Sequence, residues 1–350
     1  MLTVILGAGA SYDSAPQTAI RPPLAKDLYD FERADTRRVL SELPQAGSLV
    51  DRMRRLAPEG GEVEAQLGDF LKRAIESDDP YYKADLLAMR FYLREITQRA
   101  AGDVRAASAG QTSQLTLVTR LHDISVSHGV KINFISFNYD NILEHAVGDR
   151  FGQKFKSLDD YLVAPFGIFK PHGSIDWIQE LPLKQTSDEA VFYNNPRQVA
   201  LAKYWDPRTG GTVGLFDDRR ANLGYNDDKL YVPALAIPAA YKDAFIMPDG
   251  HLEAMTKVLK DTRAILIIGW RASETEFLRL CTEHLRGHLD GLRSYVVDYN
   301  GGGPASAGLA AISNFPQALS QRTTGVWGRG FADFVTSDDF SWEVGTLIAD

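Results

Sequence analysis

Short, nearly continuous apolar runs alternate along the chain with longer stretches in which apolar residues recur every three or four positions. The first run, Leu2–Leu6 (LTVIL), breaks into Gly7-Ala8-Gly9-Ala10-Ser11. A run this short and this rich in β-branched residues predicts a strand buried on both faces, as in a parallel sheet. Residues 130–136 (VKINFIS), 264–268 (AILII) and 294–298 (SYVVD) predict three more. Each ends in turn chemistry: Phe137-Asn138-Tyr139-Asp140, then Gly269, then Tyr299-Asn300 and a glycine run. A shorter extended run, 167–171, stops at His172-Gly173. The stretch 231–238 is strand-like, with prolines that suggest an edge or an extended segment.

From 24 to 128 the periodicity is helical only. Leu24, Leu28 and Phe31 share a face, and Val63, Leu67, Phe70 and Ala74 share another before Asp78-Asp79-Pro80 stops the helix. Leu86, Met89, Leu93, Ile96 and Ala100 form the clearest stripe, and Gly102 to Gln111 reads as a mobile loop. Leu115, Val118, Leu121 and Ile124 follow, closed by Gly129 at the C′ position. Further helices are expected after Asp140, which is placed to cap one, over 251–261, and after a capping box at 273–276. The residues from 180 to 228 read as long loops with a small antiparallel element, and the tail from 305 has no clear pattern. Strands alternating with helices define an α/β fold with a largely parallel, Rossmann-like sheet. A large helical insertion follows the first strand.

Composition narrows the class without changing the fold. The chain has 350 residues, 44% hydrophobic and 24% charged, which fits one large domain or two. A net charge of −8 argues against autonomous nucleic-acid binding, which needs a basic footprint. Cys281 is the sole cysteine, so neither an internal disulfide nor a four-cysteine zinc site can form. No apolar run reaches membrane-span length, and the N-terminal run has no basic leader, so the expected compartment is the cytoplasm.

The candidate chemistry collects just after strands, where open α/β sheets bind ligands. Gly7 and Gly9 permit a tight turn and close backbone approach before a helix that would favour a phosphate. Tyr12 occupies the position where a G-x-G-x-x-G dinucleotide pattern needs its third glycine. Arg21, in the proline-containing loop 13–23, could meet a phosphate or simply be solvated. Among the strand-end groups, His172 alone has an ordinary titration range suited to proton transfer near neutral pH. Asn138 can hold a water or a sugar hydroxyl.

Taken together, Gly-Ala-Gly-Ala-Ser at 7–11, Ser-Phe-Asn-Tyr-Asp at 136–140 and Lys-Pro-His-Gly-Ser at 170–174 resemble the GAG-x-S, N-x-D and HG motifs of the sirtuin fold, in that order. The likeness is closer to the sirtuin-like NADases of bacterial antiviral defence than to protein deacylases. It covers most of 1–15 and 130–300. It implies a catalytic domain drawn from 1–29 and 130–350, with 30–129 as a helical insertion and no zinc module. It implies that Gly7, Ala8, Gly9 and Ser11 hold the NAD+ pyrophosphate and adjoining ribose. Asp140 would line the nicotinamide-ribose pocket with Asn138, and Asn138 and His172 would be catalytic. Gly269 and Asn300 would lie on the adenosine side. Arg271 stands where the family often has serine, so its contact is either replaced by a guanidinium–phosphate pair or lost.

The implied activity is hydrolysis of NAD+ to nicotinamide and ADP-ribose, without metal, in a homo-oligomer that works with a partner such as a HerA-type ATPase or a short Argonaute. Three other readings remain open at this level. One is a non-catalytic NAD- or nucleotide-binding subunit of a defence complex. The others are a zinc-free protein deacylase and a nicotinamide-dependent dehydrogenase.

Overall fold

In the computed structural model, Leu2–Leu6 forms strand β1, and every one of its residues is buried. It lies at the centre of a six-stranded sheet. Its neighbours are β2 (Ile132–Ser136) and β8 (Ala264–Ile268), both parallel to it and in matching register. Strand β3 (Gly167–Phe169) lies outside β2, while β9 (Arg293–Val297) and β10 (Arg322–Trp327) lie outside β8. All pairings in this sheet are parallel. The structure describes residues 1–43, 46–47, 50–51, 67–68, 71–73, 76, 80–182, 211–216, 224–226, 229–237, 245–285, 291–299 and 322–349.

Two units make up the chain. The first comprises Met1–Pro22, Ala100–His172 and Asp249–Asp350, and holds the parallel sheet. Its helices are α1 (Ala8–Tyr12), α4 (Ser113–His128), α5 (Ile142–Phe151), α6 (Asp249–Asp261), α7 (Thr275–Leu285), α8 (Phe331–Thr336) and α9 (Phe340–Ile348). The second comprises Pro23–Arg99 and Gly173–Pro248. It contains α2 (Ala34–Glu42) and an antiparallel four-stranded sheet in the order β5 (Thr212–Leu215), β4 (Gly173–Pro182), β7 (Lys229–Leu235), β6 (Gly224–Asn226). Helix α3 (Pro80–Ala107) runs from the second unit into the first.

Across the parallel sheet the order β10-β9-β8-β1-β2-β3 is the doubly wound order. The chain winds outward from β1 through β2 to β3, then returns to the other side of β1 at β8. The order therefore reverses between β1 and β8, and the loops after those two strands stand at the switch point.

Pro80 opens α3; proline suits a first helical turn because its missing N–H has no partner there anyway. Residues 77–79, where the preceding helix is expected to end, and Val63, Phe70 and Ala74 of its stripe lie outside the described residues. Three local expectations are corrected. Helix α3 continues through Gly102 to Ala107, so the expected loop shrinks to a turn at 108–110, where Ala109 and Gly110 have positive φ. Burial explains this: Ala101 and Val104 pack with Ala15 and Ile142 in one apolar cluster. Strand β7 is an inner strand, not an edge; its Pro233 pairs with Ile178 where the β4 register shifts, an irregularity that tolerates a missing N–H. Finally, α7 begins at Thr275, the Ser273 N–H donates to Glu274 (3.1 Å) rather than to Glu276, and Glu276 pairs with Arg279 at 2.6 Å.

Other features follow the pattern directly. Gly129 closes α4 with φ 64°, and Thr112 caps its start by accepting from the Leu115 N–H. The stripe Leu86, Met89, Leu93 and Ile96 is fully buried. Cys281 lies on the buried face of α7 with Phe277, and burial pushes its thiol pKa well up, so it is a core residue without nucleophilic character. Among the described residues, no helix is long and apolar enough to cross a membrane.

Candidate functional site

The loop from β1 to α1 is built against the loop after β8. The Gly7 N–H donates to the Ile268 carbonyl (3.0 Å), and the Gly9 N–H to the Gly269 carbonyl (3.0 Å). A Cβ on Gly7 would stand 2.5 Å from the Gly269 oxygen and from Trp270 Cα, and one on Gly9 would stand 2.8 Å from Gly269 Cα. Gly269 has φ +58°, and its own Cβ would be 2.6 Å from Gly9 Cα and Ala10 N. What the missing Cβ atoms accommodate is therefore the meeting of two backbones at the switch point. Ala8 is the first residue of α1 and is exposed. Farther along, the Arg21 guanidinium donates to the carbonyls of Ala15, Thr18 and Ile20 at 2.8–3.1 Å, so it clamps its own loop.

The loop from β2 to α5 is tied to the same turn. The Phe137 N–H donates to the Leu6 carbonyl (2.9 Å), and the Asn138 side-chain amide donates to the Gly7 carbonyl (2.8 Å). Ser11 donates its hydroxyl to Asp140 Oδ2 at 2.5 Å. The other Asp140 oxygen accepts from the Ile142 N–H at 3.1 Å, but the residue at the cap of α5 is Asn141, which makes no side-chain capping bond; the cap expected at Asp140 is thus corrected to a local turn bond made one position earlier. This carboxylate ties the turn at 7–11 to the start of α5.

Sequence reasoning missed a buried ion pair beneath these loops. Lys170, fully buried just after β3, donates to Glu144 Oε1 at 2.7 Å and to the Asp140 carbonyl. Glu144 is in the first turn of α5 and is buried as well. Nothing in the spacing of 144 and 170 pairs the two charges when the sequence is taken alone.

His172 is buried two residues beyond Lys170. The edges of Phe137 and the His172 ring meet with centroids 4.9 Å apart, and Tyr139 lies 6.3 Å away. Phe137 stacks on Trp270 at 5.2 Å with the planes 5° apart, and Phe277 packs edge-on against both. The Trp270 indole N–H donates to Glu274 (2.6 Å), which fixes its plane. This aromatic wall was also missed, although Phe137 and Trp270 each adjoin a residue singled out in the sequence. Ala272, buried, has φ +55°, a strained backbone for a residue with a Cβ. Arg271 is exposed.

Gly7, Gly9, Ser11, Asn138, Asp140 and Gly269 are thus joined by direct hydrogen bonds or backbone contact, and His172 joins them through Phe137. Asn300 lies outside the described residues. Chemically, the cluster offers one imidazole, one side-chain amide and a hydroxyl oxygen, backed by the buried rings of Phe137, Trp270 and Phe277. Among the described residues, no group of three or more His, Cys, Asp or Glu side chains is placed to hold a metal ion. The chain matches no protein-family model and no curated protein.

Proposed function

We propose that the chain is a sirtuin-like NAD+ hydrolase that splits NAD+ into nicotinamide and ADP-ribose. The observation that carries this reading is the convergence of three distant segments at one sheet edge. The turn 7–11, the loop 137–140 and His172 meet beside the switch point of a doubly wound sheet, the position where such sheets take nucleotides. In this reading 30–129 is the helical insertion of a sirtuin-type fold without a zinc module.

The chemistry asks for positioning and a base. Nicotinamide leaves with the bonding electron pair, which neutralises its ring nitrogen, while the ribose carbon passes through an oxocarbenium-like state. Water forms the new C–O bond and gives up a proton. His172 accepts that proton, or one from a ribose hydroxyl, and returns it to solvent. Asn138, held by its nitrogen on Gly7, keeps its amide oxygen oriented to accept from the water or a ribose hydroxyl. Ser11 can accept from a second hydroxyl through its oxygen while still donating to Asp140. Phe137 and Trp270 shield the reacting centre.

NAD+ depletion suits an effector of bacterial anti-phage defence. The proposal accordingly includes a cytoplasmic homo-oligomer held in check by a partner, such as a HerA-type ATPase or a short Argonaute. The test is product analysis after incubation of the protein, alone and with its partner, with NAD+. Nicotinamide and ADP-ribose appearing one to one supports hydrolysis. NADH with added substrates, or loss of acyl groups from an acyl-lysine peptide, would replace it with a dehydrogenase or a deacylase. Binding without turnover in the complete complex would make the chain a nucleotide-binding subunit.

A further inference from the structure

We infer that the buried Lys170–Glu144 pair is a positioning device that holds the loop carrying Asn138 and Asp140 in place relative to His172. This inference rests on the hydrolase reading for its catalytic consequence but not for its structural one. Lys170 is fully buried and Glu144 nearly so, and an ammonium and a carboxylate are costly to remove from water unless they do something an apolar pair would not. Lys170 makes two bonds that together define its task. One goes to Glu144 in the first turn of α5, the other to the backbone carbonyl of Asp140, the residue that hands the chain from loop to helix. Lys170 itself leads through Pro171 into His172.

The ammonium therefore spans the end of β3 and the start of α5, and each proposed catalytic residue lies two positions from an atom it fixes. Asn138 precedes Asp140 by two residues; His172 follows Lys170 by two. The remaining bonds of Asp140 run to Ser11 and to Ile142, so neither duplicates the link to β3. A point charge with three donors suits this junction because it satisfies a carbonyl and a carboxylate at once. An apolar replacement would fill the space and leave the spacing of the two loops unset.

The test uses the full chain with Lys170→Met/Glu144→Met, which removes both charges together and avoids an uncompensated one. Amide hydrogen exchange is followed over 137–142, with β8 as the internal control, and melting temperature is measured alongside. The expected result is a melting temperature close to wild type, unchanged β8, and exchange over 137–142 faster by about tenfold or more. Nicotinamide release should lose about 100-fold in kcat, the scale expected of misplacement by roughly an ångström, with little change in KM. In an Asn138→Ala background the same pair of changes should cost much less, because the residue being positioned is already gone. A merely structural role would instead lower the rate equally in both backgrounds.

Unchanged exchange over 137–142 in a folded variant overturns the inference, whatever the activity. Faster exchange in a protein whose wild type releases no nicotinamide keeps the tether and removes the hydrolase reading. If the double variant does not fold, Lys170→Leu/Glu144→Gln, which removes the ammonium and both of its bonds and leaves a neutral polar group at 144, carries the same readings.

Discussion

Alanine at His172 or at Asn138 is expected to remove most nicotinamide release while leaving the fold in place. General-base assistance is typically worth about 10²- to 10⁴-fold, so His172→Ala should fall by that range in kcat. Asn138→Ala should fall by about 10²-fold or more through lost orientation of the water or ribose. The stability costs are of a different order. Asn138 makes one hydrogen bond to Gly7, worth about 1 kcal/mol, and the neighbouring links from Phe137 and Ser11 remain. His172→Ala removes a ring packed against Phe137, whose stack on Trp270 persists. Rates are compared under conditions that activate the wild type, with NAD+ affinity and melting temperature measured on the same preparations. Wild-type rates in both variants would dismiss the catalytic pair. Collapse of folding together with rate would reassign these residues to structure.

The second large effect falls on stability. Gly269→Ala should destabilise the protein by about 2–5 kcal/mol, from a left-handed backbone costing roughly 1–2 and overpacking costing about 1–3. The new Cβ meets the backbone of Gly9 and Ala10 at 2.6 Å, and backbone cannot rotate away as a side chain would. Gly7→Ala should act in the same direction from the other side of the contact, against the Gly269 carbonyl and Trp270. Because both substitutions break one contact, their effects should be strongly less than additive. Thermal denaturation of the two single variants and the double variant checks this. Additive losses would mean that the two loops do not share the contact.

These effects separate what could be read in the sequence from what could not. β1, β2, β8 and β9 are legible because inner strands of a parallel sheet are covered on both faces and leave continuous apolar runs. β10 is not: RTTGVW is mixed in character, stands at the sheet edge and carries a register shift between Thr323 and Gly325. Gly102 and the small residues around it look like a loop, yet the burial of Ala101 and Val104 against Ala15 and Ile142 keeps them helical.

In the site, the strand-end positions of Gly7, Asn138, His172 and Gly269 are visible in the sequence, because turn residues after apolar runs announce a sheet edge. The reason for the glycines is not visible, since it lies in contact between segments more than 250 residues apart. Nor is the Lys170–Glu144 pair, because burial of a charge depends on what covers it. The aromatic wall needed two distant segments, at 137 and at 270–277, to be brought together.

The hydrolase reading requires NAD+ to bind at this sheet edge. Its test is a structure of the His172→Ala variant, slowed in turnover, determined with NAD+. The nicotinamide-side ribose should lie within hydrogen-bond distance of Asn138, and the pyrophosphate against residues 7–11. NAD+ seated away from this sheet edge, or absent from it at saturating concentration, would contradict the account.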